Sequence, residues 1–167
     1  MANSRKRPDP QKSFVGFVVG EVAYAVPIGS VREIVNPVPL TELPHAPQSV
    51  AGVMDHRGEV VPIVDLRVRF GLPPVAPSRR TKWILIEVEG RSVGLTVDRV
   101  TGVFGYSGEL RSAPTLGAGD EARGVVGVAS IGGSLVFVLD VGRFDVLTLS
   151  LRAEELLAEA SAAEEAS

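Results

Sequence analysis

"SVAGVMDHRGEVVPIVDL" (residues 49–66) and "GVVGVASIGGSLVFVLDV" (residues 124–141) superimpose without a gap. Gly52 falls on Gly127, Val53 on Val128, Gly58 on Gly133, Val61 on Val136 and Asp65 on Asp140. Upstream, "YAVPIGSVREI" (24–34) falls on "VGLTVDRVTGV" (93–103), with Val31 over Val100 and Ile34 over Val103. The two blocks keep their order in each half, so the chain carries an internal duplication. The expectation is two similar β units, one on each side of about residue 78.

The residues between these blocks read as strands. Short runs rich in Val and Ile, broken by Gly, Pro and Asn, fit pleated surfaces better than helices. "FVGFVVGEVAYAVPI" reads as two strands turning near Gly20-Glu21, and "KWILIEVEGRSVGLTV" as two more turning at Glu89-Gly90-Arg91. "VNPVPLTELPHAP" holds four prolines, which rules out a central strand and predicts an extended connector. "GLPPVAPSRRT" predicts a second, charged loop. Ser30-Val31-Arg32-Glu33 fits a capping box, so a helical turn is expected there. Residues 1–12 read as a flexible tail, without the apolar stretch of a secretory signal. Residues 151–167, rich in Ala, Leu and Glu, favour an acidic helix or tail.

Bulk composition narrows the function. The 167 residues are 45% hydrophobic and 22% charged, enough for a well-buried domain. A net charge of −3 gives no global attraction to nucleic acid or an anionic membrane. No run reaches the ~18 apolar residues of a membrane span. With no cysteine, thiolate chemistry and disulfides are excluded. Two histidines, His45 and His56, are too few for a three-histidine metal site. No metal or cofactor is expected. "GAGDEARG" (117–124) lacks the Lys-Ser/Thr ending of a phosphate loop and reads as a surface loop. Asp65 and Asp140, matched after buried strands, are expected to accept backbone N–H bonds rather than to hold a metal.

The charged knot Asp55-His56-Arg57-Gly58-Glu59 invites a catalytic reading. The duplicate argues otherwise, because Arg57-Gly58 falls on Gly132-Gly133, a hairpin signal. Arg57 is therefore expected at a hairpin tip, with Gly58 at positive φ. Neighbouring strand residues point to opposite faces, so Asp55 and His56 would not act as a pair. No serine stands in a GxSxG setting. A displayed arginine suits partner binding, since its planar fork stacks and makes paired hydrogen bonds. An ordinary solvated turn is the alternative. Val31, Ile34, Val100 and Val103 are core positions, or else walls of a groove that takes a partner helix.

"VAGVMDHRGEVVPIVDLRVRFGL" resembles the signature of the CheW-like domain family, where a hairpin of the form Gly-Val-x-Asn-Leu-Arg-Gly precedes V-x-P-(I/V)-V-D-L. The likeness runs from about Phe14 to about Leu149 and takes in "FVVGEVAYAVPIGSVREIV", "LPHAP", "VGLTVDRVTGV" and "FVLDVGRF". It implies an all-β fold: two five-stranded SH3-like barrels side by side, with short helical turns and a C-terminal helix. The domain would span residues 13–150, with two barrel subdomains. The resemblance also implies a cytoplasmic, non-catalytic adaptor in receptor-associated arrays. Such an adaptor couples the regulatory domain of a CheA-type histidine kinase to the cytoplasmic tips of chemoreceptors, whose helical hairpin lies between the barrels.

Carried over by motif, Val31, Arg57, Gly94 and Val103 would face the receptor, and Glu33 and Gly52 would touch a partner. Ile34, Asp55, His56, Gly58 and Val100 complete the expected partner-binding set. The chain departs from the family where Asn-Leu becomes Asp55-His56. That change points to a different receptor, or to a non-flagellar pathway in which only kinase or only receptor is bound. A small-ligand-binding β-barrel is the competing class, and it would need a pocket of convergent polar groups.

Overall fold

The structure, a computed structural model, describes residues 13–112, 124–140 and 142. The expected N-terminal tail, most of the 117–124 loop and the C-terminal helix lie outside the described residues. Ten strands run in order: β1 (Ser13–Val19), β2 (Val22–Pro27), β3 (Val31–Val35), β4 (Val50–His56), β5 (Glu59–Asp65), β6 (Lys82–Val88), β7 (Arg91–Val97), β8 (Arg99–Gly105), β9 (Val125–Ile131) and β10 (Ser134–Leu139). A 3₁₀ turn (Ile28–Ser30) and one helical turn, α1 (Leu66–Arg69), complete the described elements.

The strands form two five-stranded mixed sheets, ordered β8-β1-β2-β10-β9 and β3-β6-β7-β5-β4. Replacing each strand by its duplicate turns one order into the other. The registers agree: Glu33 lies opposite Leu85 after a bulge, and Gly102 lies opposite Gly16 after a bulge. The parallel pairs Ile63–Gly94 and Val138–Ala25 are likewise equivalent. The duplication is thus a structural pseudo-twofold.

Three expectations are corrected. The duplicated units do lie on either side of residue 78, as β1–β5 and β6–β10, but neither forms a sheet of its own. The second sheet is the continuous stretch β3 to β7, and the first combines β1 and β2 with β8 to β10. The chain changes sheet at the 3₁₀ turn and again at Asp98, so the repeat boundary falls inside one sheet. Nor does either sheet close into a barrel, because no ladder joins β8 to β9 or β3 to β4 among the described residues. The edges pair with connectors instead. Thr41 exchanges backbone bonds with Val53, and Arg111 does so with Val128. The capping box fails too. Ser30 ends the 3₁₀ turn with its Oγ donating to the Pro27 carbonyl, and β-branched Val31 begins a strand paired to β6.

Alternation explains the burial. Val15, Phe17, Val19, Tyr24 and Val26 from the first sheet and Ile84, Ile86, Val88, Val93, Leu95 and Val97 from the second share one central core. Their strand neighbours face outward into two smaller cores. Phe14, Ala129, Val136 and Val138 fill one, and Trp83, Met54, Val61 and Ile63 the other. Central strands buried on both faces read as continuous apolar runs.

Asp65 caps α1 by accepting the Arg67 N–H at 2.9 Å, which sends Leu66 and Phe70 into the central core. Asp140 accepts the Gly142 N–H at the same distance. Both aspartates thus accept backbone N–H bonds as their repetition suggested. Arg67 reaches Asp98 at 2.6 Å, and Asp98 also accepts the Gly20 N–H at 2.7 Å, which ties α1 and the β1–β2 turn to the crossing between sheets.

Because neither half of the duplication holds a complete sheet, residues 1–77 expressed alone will lack native β-structure. Mixing them with residues 78–167 will restore it, as read by circular dichroism and amide dispersion. An independently folded 1–77 fragment would contradict the interleaved topology.

Candidate functional site

The β4–β5 hairpin turns on Arg57 (φ +54°) and Gly58 (φ +83°), and its duplicate turns on Gly132 (φ +57°) and Gly133 (φ +82°). Two successive positive φ values make the type I′ turn that suits a two-residue hairpin. Gly58 is at positive φ as expected, and so is Arg57. A non-glycine residue in this region costs about 1–2 kcal/mol. The duplicate avoids that cost with glycine, so the arginine is held against backbone preference. Its side chain is 78% exposed.

Asp55 supports the turn, its Oδ1 accepting the Gly58 N–H at 2.9 Å. His56 points elsewhere, with Nε2 2.9 Å from Glu33 Oε2, and Arg57 Nη2 lies 3.5 Å from Glu33 Oε1. The Glu33 carboxylate therefore bridges β3 to the tip of β4. These strands are opposite edges of their sheet, nominally about 19 Å apart at four strand spacings, so the edges approach each other at this end. Side chains join them where no backbone ladder does.

A second polar network lies beside the first. Arg32 Nη1 is 3.4 Å from Glu59 Oε2, and Nη2 is 3.5 Å from Glu87 Oε1. Arg32 also bonds the buried Ser92 hydroxyl, while the Ser92 N–H donates to Glu59 Oε1 at 3.0 Å. Sequence reasoning missed Arg32, Glu59, Glu87 and Ser92. A signal was available, because their duplicate positions hold Thr101, Ser134, Val18 and Ala23. Similarly Glu33, His56 and Arg57 fall on Gly102, Ile131 and Gly132. Among the described residues both networks exist in one sheet only, the second drawing Arg32 and Glu59 from the first copy of the repeat and Glu87 and Ser92 from the other.

The remaining expected site residues separate by burial. Ile34 (40% exposed) and Val103 (56%) stand at equivalent places on the edge strands β3 and β8. Val31 and Val100, half-buried, pack against the central core. Gly52 and Gly94 are buried. A Cβ on Gly52 would sit 2.7 Å from the Thr41 carbonyl oxygen and 2.9 Å from Leu40 Cβ, so this glycine lets the connector cross β4. Gly94 lies under Ile63 and Leu85.

Two clefts repeat the pseudo-symmetry. One, of about 640 Å³, is lined by Leu40, Ala51, Asp65, Trp83 and Thr96 among others. The other, of about 450 Å³, is lined by their duplicates Leu110, Val126, Asp140, Phe14 and Pro27. Among the described residues no group of three or more His, Asp or Glu could hold a metal ion. No helix of these residues is long and apolar enough to cross a membrane.

Paired, interleaved sheets that display one charged hairpin define a scaffold class of β protein, built to present surfaces. The model of the CheW-like domain matches residues 13–145, and the chain belongs to that family. It is 34% identical over 131 residues to a chemotaxis protein CheW of Rhizobium meliloti, covering 78% of this chain and 84% of the relative. Protein FrzA of Myxococcus xanthus is 33% identical over 129 residues, covering 75% and 78% of the two chains. The crystal structure of scaffolding protein TtCheW from Thermoanaerobacter tengcongensis superimposes with a TM-score of 0.72 at 28% identity, covering 84% of this chain and 91% of that one. The chain is accordingly a non-catalytic adaptor of chemotaxis signalling, linking kinase and receptor.

Arg57→Gly relieves the strained turn while losing an exposed, screened ion pair. Stability in urea should be unchanged or raised by up to about 1 kcal/mol. Gly52→Ala should cost about 1–3 kcal/mol, since backbone must move to admit the methyl group.

Proposed function

We propose that the Glu33–His56–Arg57 edge, with the exposed Ile34 and Val103, engages the cytoplasmic tip of a chemoreceptor. The two pseudo-equivalent clefts engage the regulatory domain of a CheA-type histidine kinase. The observation that carries this reading is the asymmetry: two superimposable hairpins, of which one holds an arginine in an unfavourable conformation beside a shared carboxylate. A scaffold role for the turn does not require that arginine, since glycine serves in the duplicate. Recognition does, because a displayed guanidinium can leave Glu33 and fork onto a partner's acceptors.

The paired clefts support a partner of related fold, since equivalent surfaces fit equivalent elements. Work at a receptor tip implies a cytoplasmic location in receptor arrays, and the two sheets would then act as the side-by-side SH3-like units of the family. Asp55 contributes by holding the turn. Gly52 and Gly94 act through packing, by setting where the surface strands lie.

Arg57→Ala should weaken receptor binding about tenfold or more, the scale of an interface hot spot, with the thermal midpoint nearly unchanged. A large drop in the midpoint, or unaltered binding, would refute the recognition role. His56 selects among receptors in this reading, because it competes with Arg57 for Glu33. His56→Leu should change which receptor is captured in a pull-down, whereas Asp55→Asn, which keeps the bond to Gly58, should not. Kinase autophosphorylation with receptor, with and without the protein, tests coupling as a whole. Capture of kinase alone or receptor alone would favour the single-partner alternative.

A further inference from the structure

Arg79, Arg80, Lys82 and Arg99 line one concavity of about 510 Å³ at the crossing between the sheets, beside Val100. Unlike Arg32, Arg57 and Arg67, these four cations face no carboxylate among the described residues. Among the described residues Lys82 Nζ donates to neutral oxygens, Asn36 Oδ1 at 2.5 Å and the Arg79 carbonyl at 3.3 Å. Asp98, next to Arg99 in sequence, is taken by Arg67 and the Gly20 N–H. Exposed like charges gathered in one concavity repel, so the site favours an anionic occupant. A nucleic acid fits poorly: the whole chain carries a net charge of −3, and the nearby Trp83, at 4% exposure, offers no stacking surface.

The chain itself supplies a complementary segment. Residues 152–167, "RAEELLAEASAAEEAS", carry five glutamates and one arginine. The last described residue, Gly142, lines the cleft that also holds Val88 and Glu89, at the end of β6. Lys82 opens β6, about 20 Å away at ~3.3 Å per residue. Glu154 lies twelve residues beyond Gly142. That length reaches about 18 Å as helix and about 40 Å fully extended.

We infer that the basic concavity of Arg79, Arg80, Lys82 and Arg99 is a docking site for the chain's own acidic segment, residues 154–165. Individual exposed pairs are weak. Tethering compensates, because a short linker holds the segment at an effective concentration near the millimolar range. Docked there, the segment shields this face, beside Val100, from other anionic partners. The contact should be salt-sensitive, since screening acts over ~10 Å at 0.1 M salt.

The chain has no cysteine, so Val75→Cys and Ala163→Cys give two unique positions for spin labels in the full-length protein. Pulsed dipolar measurement at low salt should give a short-distance population. That population should vanish in high salt, with Glu154, Glu155, Glu159, Glu164 and Glu165 changed to Gln, and in Arg79→Glu/Arg80→Glu. Placing lysines at those five glutamate positions in the Arg79→Glu/Arg80→Glu background should restore it, which separates lost attraction from lost folding. Deleting residues 153–167 should tighten hexaglutamate binding several-fold, because the internal competitor is gone. A distance distribution indifferent to salt and to the Gln changes overturns the inference. So does a short distance that arises only between singly labelled copies, which would put the segment on a neighbouring molecule. The readout involves neither kinase nor receptor, so it stands or falls apart from the coupling role.

Discussion

The central apolar layer is the constraint on which everything else in this protein rests. Phe17 and Val19 of one sheet share it with Ile86 and Val88 of the other, and Leu66 of α1 and Phe70 just after that helix join them. Each sheet also needs a second apolar face for its own outer core, so β1, β2, β6 and β7 are covered on both sides. A strand in that position tolerates few polar side chains. Charged side chains are therefore pushed to strand edges and hairpin tips, where Glu33, His56 and Arg57 stand.

Interleaving gives this layer a further consequence. Each sheet draws strands from both halves of the duplication, so the two copies fold as one cooperative body. Pseudo-symmetry then creates equivalent backbone features in pairs: the type I′ turns at Arg57-Gly58 and Gly132-Gly133, bulges at matching places in the two sheets, two connectors bonded to an edge, two aspartates on N–H groups. What differs between the copies is side chains. Polar networks centred on Glu33 and Arg32 decorate one sheet, while glycine, alanine, valine, isoleucine and small hydroxyl residues occupy the equivalent places in the other. Divergence on a duplicated scaffold has produced one specialised edge without disturbing the shared core.

Several features were legible in the residues because they depend on local chemistry. The turns at Gly20, Gly90 and Gly58 follow from glycine's access to positive φ. The proline connector follows from missing N–H donors. Asp65 and Asp140 announced their roles by repetition, since a residue kept at the same place after the same strand serves the same local bond. The hairpin tip was readable for the same reason. The capping box at Ser30 misled because a local motif competes with pairing to β6, and the tertiary ladder won.

The sequence by itself determined most of the strands, their turns, the duplication and the display of Arg57, all of which are set by nearest neighbours or by a repeat visible along the chain. Only the tertiary structure decided which strands share a sheet, that the sheets stay open, and that Gly52 and Gly94 lie against close-packed neighbours. It alone decided that His56 and Arg57 converge on Glu33, and that four cations with no carboxylate partner among the described residues share one concavity. The physical reason is common to all of these. Period-two alternation states that a strand has two faces, but not which partner covers each. That choice is made by packing between residues far apart in sequence, and the long-range contacts of Glu33 with His56 and of Arg32 with Ser92 are its result.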